Sequence, residues 1–262
     1  MADVWAAGNA YEPYVGRWSR AVAREFIGWL RIPGGARWLD VGCGTGALSS
    51  TILSDASPDR VCGLDASSAY AAFARNRLVD SPVTFAVADA QYLPFATASA
   101  DAAVSGLVLN FVPDPGRALA EMVRVVRAGG TIAVYVWDHA GEMQLTRLFW
   151  DAAIELDPRA TDFDEGRRFP ICNPRALETL FHDAGLRDAS SRAIDVPTRF
   201  RDFADYWNPF LGGQGPAPGY AMSLSEEARS RLRDHVRERL PIAADGSIDL
   251  IARAWAIRGT RE

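Results

Sequence analysis

The chain has 262 residues, of which 48% are hydrophobic and 23% charged, and its basic and acidic side chains leave a formal net charge of −5. All 28 basic residues are Arg, which excludes a Walker-type phosphate loop and Schiff-base chemistry because both need a Lys amine. A chain with this excess of acidic residues lacks the basic surface that is needed to neutralise the phosphates of a nucleic acid, so we expect no nucleic-acid partner.

Helices and strands alternate along residues 20–200. Apolar spacing predicts helices over 20–30, 47–54, 67–78 and 115–126, the last ended by Gly129-Gly130, and strands over 37–41, 60–65, 83–88, 101–106 and 131–137. Strands that alternate with helices and are apolar on both faces are typical of a parallel sheet covered on both sides. The fold class is therefore α/β and doubly wound, and ligands of such sheets bind at the carboxyl ends of the strands.

The pattern loosens after residue 137. Helices are predicted over 141–158 and 173–184, and strands over 189–200 and 248–257. Between these two strands, residues 201–247 contain an aromatic cluster, a Gly/Pro loop and an Arg-rich helix over 225–240. We expect the sheet to have seven strands, mostly parallel, with 201–247 as a helical lid insertion.

A Gly-rich turn follows the first strand. Residues 38–46, WLDVGCGTG, place Gly42, Gly44 and Gly46 before a helix, where the backbone can approach a ligand closely. Asp65 ends the second strand 23 residues after Gly42, a spacing at which an acid accepts hydrogen bonds from ribose hydroxyls. A structural turn and a helix cap are the alternatives. Adenosyl and nicotinamide ligands fit these two features equally.

The end of the third strand favours the adenosyl ligand. Residues 87–95 read VADAQYLPF, and Asp89 is placed where it could accept a hydrogen bond from an adenine amino group. A nicotinamide ligand leaves this acid without a role. We therefore continue with an adenosyl ligand as the leading hypothesis.

Several motifs in order resemble one family. LDVGCGTG, GLDAS, VADAQYLPF and VPDPGRALAEMVRVVRAGG occur within residues 37–137. Together they resemble the class I S-adenosylmethionine-dependent methyltransferases, in particular the type 11 branch that contains the ubiquinone and menaquinone C-methyltransferases. The resemblance implies a Rossmann-like sheet, S-adenosyl-L-methionine as cofactor and methyl transfer. It departs from the family at Leu109-Asn110-Phe111, where many relatives have a His or aromatic pair, and at Ala128, where they have Pro.

The resemblance also implies which residues bind the cofactor. The glycines would line its methionine portion, Asp65 would hold the ribose, and Asp89 would face the adenine edge. Ser105 and Gly106 would approach the methionine amino group, and Asp40 would orient the loop and attract the cationic end. The full set is Asp40, Gly42, Cys43, Gly44, Gly46, Asp65, Ala66, Asp89, Ala90, Ser105 and Gly106.

The N-terminal segment precedes the sheet and mixes aromatic residues with one Arg. Related enzymes fold such a segment over the cofactor. We hypothesise that Tyr11 and Arg17 contact the cofactor, with the guanidinium pairing with its methionine carboxylate. Aromatic packing of the first helix on the sheet is the alternative.

Substrate residues are sought outside residues 37–137. His139 follows the fifth strand and is the candidate general base, with an ordinary loop histidine as the alternative. Tyr206, Trp207 and Phe210 would give a small apolar or aromatic acceptor a surface to bind, or would form core.

The chain as a whole is interpreted as one domain with several segments. Residues 1–36 are an N-terminal cap and helix, 37–137 the cofactor-binding half, 138–200 helices and the sixth strand, and 248–262 the last strand.

Two other functions remain open at this stage. A nicotinamide-dependent oxidoreductase would bind NAD, and a non-catalytic protein of the same fold would bind the cofactor without turnover. Cys43, Cys62 and Cys172 are too scattered for a disulfide framework or a zinc site, so we expect no metal. The first residues lack a basic region and an apolar core of a signal peptide, and we expect a cytoplasmic protein with no membrane span.

Overall fold

Seven strands form one sheet in the computed structural model, which describes residues 12–213 and 215–262. Their order across the sheet is β3-β2-β1-β4-β5-β7-β6. The strands are β1 (Arg37–Val41), β2 (Arg60–Asp65), β3 (Val83–Val87), β4 (Ala100–Gly106), β5 (Val126–Trp137), β6 (Arg187–Phe200) and β7 (Ile248–Thr260). This arrangement confirms the doubly wound sheet.

The first five strands share one direction. β1 pairs in parallel with β2 and β4, β2 pairs with β3, and β4 pairs with β5. Chain order reverses between β1 and β4, so their carboxyl ends form the switch point where ligands bind in such sheets. Asp65 pairs with Val87, and Gly106 with Tyr135, in the last registers of their ladders.

Seven of the α-helices match predicted ones within a few residues, and the helices over 165–168, 203–207 and 216–223 were not predicted. The helices are α1 (Arg17–Leu30), α2 (Ala47–Asp55), α3 (Ser68–Arg77), α4 (Pro115–Val125), α5 (Gln144–Leu156), α6 (Glu165–Arg168), α7 (Pro174–Asp183), α8 (Phe203–Trp207), α9 (Pro216–Ser223) and α10 (Glu226–Arg239). Six of these helices follow a side chain that accepts a hydrogen bond from a first-turn amide: Ser67, Asp114, Asp164, Asn173, Asp202 and Ser225. Residues 201–247 contain α8, α9 and α10, and their role as a lid stays a prediction.

The prediction that Gly129-Gly130 ends a helix is wrong. The α4 helix ends at Val125, and β5 begins at the next residue and runs through both glycines. Val126 pairs with Ala100 next to an irregularity in the β4 ladder. Gly129 has a φ of 72°, and a Cβ on Gly130 would lie 2.6 Å from the carbonyl oxygen of Asp101. Pairing with β4 therefore decides where this strand starts.

The chain divides into two compact units. We call residues 19–136, 171–194 and 254–262 the sheet unit, and residues 12–18, 137–170 and 195–253 the helical unit. The sheet unit has a core of fully buried aliphatic residues, including Leu119, Ile132 and Val134. Within the described ranges, no helix is long and apolar enough to cross a membrane.

Candidate cofactor and acceptor site

The Gly-rich turn after β1 depends on backbone conformations that favour glycine. Gly42, Gly44 and Gly46 have φ angles of 78°, 50° and 79°, which side chains with a Cβ rarely adopt. The amides of Gly42 and Cys43 both donate to the carbonyl oxygen of Leu64, at 2.7 and 2.8 Å. The turn is thereby attached to the end of β2, where Asp65 follows.

The Asp65 carboxylate is fixed by two backbone amides. Its Oδ2 accepts from the amide of Gly44 at 2.9 Å, and its Oδ1 accepts from the amide of Ser67 at 2.8 Å. Burial raises the pKa of Asp65, although these two hydrogen bonds oppose the shift. Each carboxylate oxygen can accept a second hydrogen bond. The side chain is thus oriented at the carboxyl end of β2 and retains capacity for two ligand hydroxyls.

The amides of the turn distinguish between the two ligand classes. A pyrophosphate at this position needs amides that point at the ligand. Here the amides of Gly42, Cys43 and Gly44 donate to Leu64 and Asp65, and that of Gly46 donates to the carbonyl oxygen of Cys43. The turn therefore fits a ligand without phosphate better than a dinucleotide.

Asp40 lies under the turn and is fully buried. Its Oδ2 accepts from the Ser49 hydroxyl at 2.6 Å, and its Oδ1 has no hydrogen-bond partner in the described parts of the chain. Burial raises its pKa to about 7, against the opposing effect of the Ser49 hydrogen bonds. A buried carboxylate oxygen without a partner suits a ligand that brings a cationic or hydrogen-donating group. Burial also raises the pKa of the neighbouring Cys43 thiol, so this Cys is an inert wall of the turn.

The residues after β3 lie at the same end of the sheet. Asp89 is exposed, and its Oδ1 accepts from the amide of Gln91 at 2.9 Å. The Gln91 side-chain nitrogen also donates to this carboxylate, at 3.1 Å from Oδ1. An adenine amino group would have to share Asp89 with Gln91 or displace it. Ala66 is exposed and Ala90 half-buried.

The last two residues of β4 are tightly packed. Ser105 is buried, and a Cβ on Gly106 would lie 2.5 Å from the Tyr135 hydroxyl oxygen. Glycine is therefore required at position 106 for the strand to pack beside Tyr135. The structure brings this residue pair, the Gly-rich turn, Asp65 and Asp89 to one end of one sheet, as the sequence predicts.

Arg17 belongs to the helical unit, where it has a local partner. Its Nη1 lies 3.3 Å from Oδ1 of Asp205, and its guanidinium carbon lies 4.4 Å from the ring centroid of Trp18 and 4.7 Å from that of Phe200. Its Nε and Nη2 are buried without a hydrogen-bond partner among the described residues. The carboxylate role of Arg17 stays a prediction. Tyr11 lies outside the described residues.

The predicted substrate residues Tyr206, Trp207 and Phe210 are buried in an aromatic core of the helical unit. The Tyr206 hydroxyl donates to the carbonyl oxygen of Leu145 at 2.8 Å. The Phe210 ring stacks on Phe149, with centroids 4.6 Å apart and planes 9° apart. These contacts give the three residues a packing role, and their contact with an acceptor stays a prediction.

His139 is almost completely buried, at 4% exposure. Burial lowers its pKa to about 3, with the Arg147 charge as the second cause. Arg147 is held nearby by Asp164, with Nη1 3.0 Å from Oδ2. The imidazole is therefore neutral at physiological pH. It can exchange hydrogen bonds with a ligand, but it is a weak base in this environment.

Sequence reasoning missed two buried polar residues of the helical unit. Glu165 is 3% exposed and its Oε1 lies 3.9 Å from Nδ1 of His139. Tyr14 is also 3% exposed, and the Glu165 charge is a cause, after burial, of its raised pKa. Tyr14 was within the aromatic N-terminal segment, a usable signal. Glu165 precedes Gly166-Arg167-Arg168 in a charged run that is typical of a solvated surface, so the sequence carried no signal for it.

Comparison with known proteins shows which family of domains the first five strands resemble. A family of methyltransferase domains matches residues 39–134. A demethylmenaquinone methyltransferase of Renibacterium salmoninarum is 40% identical over 123 residues, which are 47% of this chain and 48% of that protein. Residues 39–134 therefore match a methyltransferase domain of the type 11 branch. This confirms the resemblance stated above.

Solved structures with this fold include complexes with S-adenosyl-L-methionine and with S-adenosylhomocysteine, at 16% or 17% identity to this chain. The YcgJ protein of Bacillus subtilis has the same fold, with a TM-score of 0.61 at 16% identity, covering 92% of this chain and 98% of that one. An uncharacterized 37.1 kDa protein in a transposon of Streptomyces fradiae is 39% identical over 207 residues, 76% of this chain and 56% of that protein. The chain thus spans about half the length of the curated relatives it matches, at 56%, 48% and 51% for three of them.

Proposed function

We propose that this protein transfers the methyl group of S-adenosyl-L-methionine to a small molecule with an apolar or aromatic body. The observation that carries the proposal is the Gly-rich turn with Asp65: its amides are used within the protein, and the carboxylate is oriented for hydroxyl groups. That arrangement suits a nucleoside without phosphates. The nicotinamide alternative is disfavoured on the same ground.

The bound cofactor supplies a methyl group on a positively charged sulfur, and the chain has to hold it. We assign the ribose hydroxyls to Asp65, the adenine edge to Asp89 and Ala90 beside Ala66, and the methionine portion to the turn from Gly42 to Gly46 with Ser105 and Gly106. Asp40 fits the cationic end, because its unpaired Oδ1 is buried among described residues beneath the turn. Displacement at a methyl group needs alignment and exclusion of water above all.

The acceptor class is supported by composition and by the helical unit. The net charge of −5 disfavours nucleic acid, and the helical unit is rich in packed aromatic rings that an aromatic or apolar molecule could join. Relatives are named demethylmenaquinone methyltransferase and 2-phytyl-1,4-naphtoquinone methyltransferase, and an acceptor of that kind would belong to this class. Three free cysteines are consistent with a reducing, cytoplasmic location, which we also propose.

Mass spectrometry tests the transfer. Purified protein is incubated with S-adenosyl-L-methionine carrying a CD3 methyl group and a panel of small phenols, quinols, amines and carboxylic acids. We expect S-adenosylhomocysteine to form together with one labelled product class. Cofactor binding without a labelled product from any acceptor would instead support the non-catalytic alternative.

A further inference from the structure

Four arginines line a groove on the sheet unit. The groove has a volume of about 540 Å³, which is within the range of small-molecule sites. The charged residues and the aromatic ring that line it all belong to that unit: Arg24, Glu25, Trp29, Arg31, Arg192 and Arg258. They come from α1 and the residue after it, from β6 and from β7. Among the described residues, the groove thus combines four guanidinium groups with one carboxylate.

The groove lies away from the carboxyl ends of the parallel strands, where the cofactor site is proposed. The α1 helix ends at Leu30, shortly before β1 begins at Arg37. The Arg261 amide, at the end of β7, donates to the carbonyl oxygen of Gly130 at 2.9 Å, so the end of β7 lies towards the start of β5. The end of α1 and Arg258 therefore lie towards the amino ends of the parallel strands, and a ligand in the groove would occupy a second site.

The four arginines of the groove form no ion pair with a described residue. Other arginines of the same unit are paired. Nε of Arg37 lies 2.9 Å from Oδ2 of Asp101, and Nε of Arg127 lies 2.6 Å from Oδ1 of the same carboxylate. Positive charges that are brought together without a partner repel one another. An anion from outside the chain would remove this repulsion in the groove.

Two of the arginines are held in place by Trp29. The guanidinium carbons of Arg258 and Arg192 lie 4.9 and 5.8 Å from the centroid of its ring, which is the range of cation–π contacts. Nη1 of Arg258 also donates to the carbonyl oxygens of Trp29 and Leu30, at 2.9 and 3.2 Å. Arg192 donates through Nε to the carbonyl oxygen of Ala193 at 3.4 Å. Nη2 of Arg258 and both Nη atoms of Arg192 therefore stay available for a ligand, as far as the described residues are concerned.

Arg31 occupies a backbone position that favours glycine. It directly follows the last residue of α1 and has a φ of 52°. A left-handed residue directly after a helix is usually Gly, and other residues adopt this conformation at a cost in energy. The turn itself therefore gives no reason for an Arg. The side chain of Arg31 lines the groove, and a role in binding an anion there would explain why this residue is not Gly.

The charge of the groove selects the ligand. Guanidinium groups bind the oxygens of phosphates and carboxylates through paired N–H donors. Four of them against one carboxylate leave a net of three positive charges, and a single phosphate group carries about 1.5–2 negative charges. One diphosphate group therefore matches the groove better than one phosphate or one carboxylate. A nucleic acid would need a basic surface that extends beyond the groove, and the net charge of −5 disfavours such a surface.

We propose that this groove binds the diphosphate group of a small molecule. Arg24, Arg31, Arg192 and Arg258 donate hydrogen bonds to its phosphate oxygens, and Trp29 keeps two of the guanidinium groups in position. The site is separate from the cofactor site at the other end of the strands. The inference therefore does not rest on the proposed methyl transfer, and each can fail without the other.

Calorimetry with inorganic pyrophosphate tests the site, and inorganic phosphate is the comparison probe. We expect the wild type to bind pyrophosphate at least about tenfold more tightly than phosphate, because the second phosphate group adds charge-assisted hydrogen bonds. Saturating S-adenosylhomocysteine should leave the pyrophosphate affinity unchanged. Equal affinity for the two probes, competition with S-adenosylhomocysteine, or tighter binding of a short single-stranded oligonucleotide than of pyrophosphate would each overturn the proposal.

Arg31→Gly and Arg192→Gln test the lining, and Arg60→Gln is the matched control. Arg60 is an exposed arginine at the start of β2 in the same unit. We expect Arg31→Gly to weaken pyrophosphate binding about tenfold or more and to leave the melting temperature equal or higher, because glycine suits the left-handed backbone. Arg192→Gln should weaken binding by a similar factor, and Arg60→Gln should not. The same pyrophosphate affinity in all three variants would contradict the proposal.

Glu25→Gln should change the affinity in the opposite direction. The substitution removes the one carboxylate among the described residues that line the groove. We expect pyrophosphate to bind about two- to fivefold more tightly to this variant, the effect of removing one exposed like charge. Weaker binding would show that the charge of the groove does not attract the ligand, and would count against the site.

Discussion

Oδ2 of Asp65 accepts a hydrogen bond from the amide of Gly44 at 2.9 Å. This bond links the end of β2 to the Gly-rich turn after β1. The Gly44 amide fixes the Asp65 carboxylate. Because it donates to Asp65, this amide does not point at a ligand, as a phosphate ligand would require. The relationship therefore bears on both the shape of the site and the class of its cofactor.

Replacing Asp65 with Asn should weaken cofactor binding. A hydrogen bond to a charged group contributes about 1.5–3 kcal/mol, so we expect S-adenosylhomocysteine affinity to fall by about ten- to a hundredfold. Asp80→Asn is the matched control, since Asp80 is an exposed acid of the same unit. Calorimetry measures both variants. Equal loss in both, or in neither, would remove Asp65 from the cofactor site.

Asp40 should make stability depend on pH. Its folded pKa of about 7 lies above the ordinary value of 3.8, so between these pH values the folded state binds a proton that the unfolded state does not. Its contribution to the free energy of unfolding is then largest below pH 4. The contribution falls by about 1.4 kcal/mol for each pH unit as the pH rises from there towards 7.

Urea unfolding of the wild type and Asp40→Asn at pH 4.5 and pH 8 measures this contribution. We expect the wild type to lose a few kcal/mol more than the variant as pH rises. Asp65, whose pKa is also raised by burial, is present in both proteins, so the comparison reports on Asp40 together with its coupling to the Asp65 charge. Parallel pH profiles would show that the folded-state pKa of Asp40 is unperturbed.

Gly106→Ala tests the close packing at the end of β4. The added methyl carbon would lie 2.5 Å from the hydroxyl oxygen of Tyr135, whose ring packs on Phe26 with centroids 4.6 Å apart. We expect a loss of about 1–3 kcal/mol in the free energy of unfolding, as for other overpacked cores.

Gly28→Ala is the counterpart of that variant. Gly28 lies in α1, and apart from its chain neighbours and the backbone of its own helix, no described atom comes within 4 Å of a Cβ placed there. Alanine should stabilise the helix by up to about 1 kcal/mol. Denaturant unfolding of both variants is the measurement. If Gly106→Ala is as stable as the wild type, the close contact with Tyr135 is wrong.

His139 should not titrate in the physiological range. Because burial and the Arg147 charge lower its pKa to about 3, its imidazole resonances in NMR spectra should stay constant between pH 5 and pH 8. The resonances are assigned with His139→Gln. A midpoint between pH 6 and pH 7 would show that His139 is more accessible than its burial indicates, and would restore it as a candidate general base.

Local sequence signals were sufficient to predict the strands of the sheet and the carboxyl end at which the Gly-rich turn and Asp65 lie. Apolar runs of strand length, the glycines of the turn and Asp65 at the end of β2 each carry their information within a few neighbouring residues. The start of β5 was not accessible in this way, since Val126 becomes part of the strand by pairing with Ala100 of β4.

The surroundings of the candidate acceptor residues could be predicted only in part. His139 stood out by its residue type. Its environment could not be predicted, because Glu165 and Arg147 come near it only through tertiary packing. Tyr206, Trp207 and Phe210 were recognised as an aromatic cluster, but their spacing could not tell a ligand surface from core. The hydrogen bond from the Tyr206 hydroxyl to the carbonyl oxygen of Leu145 favours a place in the core for this residue.

The central claim concerns the cofactor, and calorimetric titration of the wild type with S-adenosyl-L-methionine and, separately, with NAD tests it most directly. We expect saturable one-to-one binding of S-adenosyl-L-methionine that Asp65→Asn weakens, and no measurable binding of NAD. Binding of NAD without binding of S-adenosyl-L-methionine would contradict the claim.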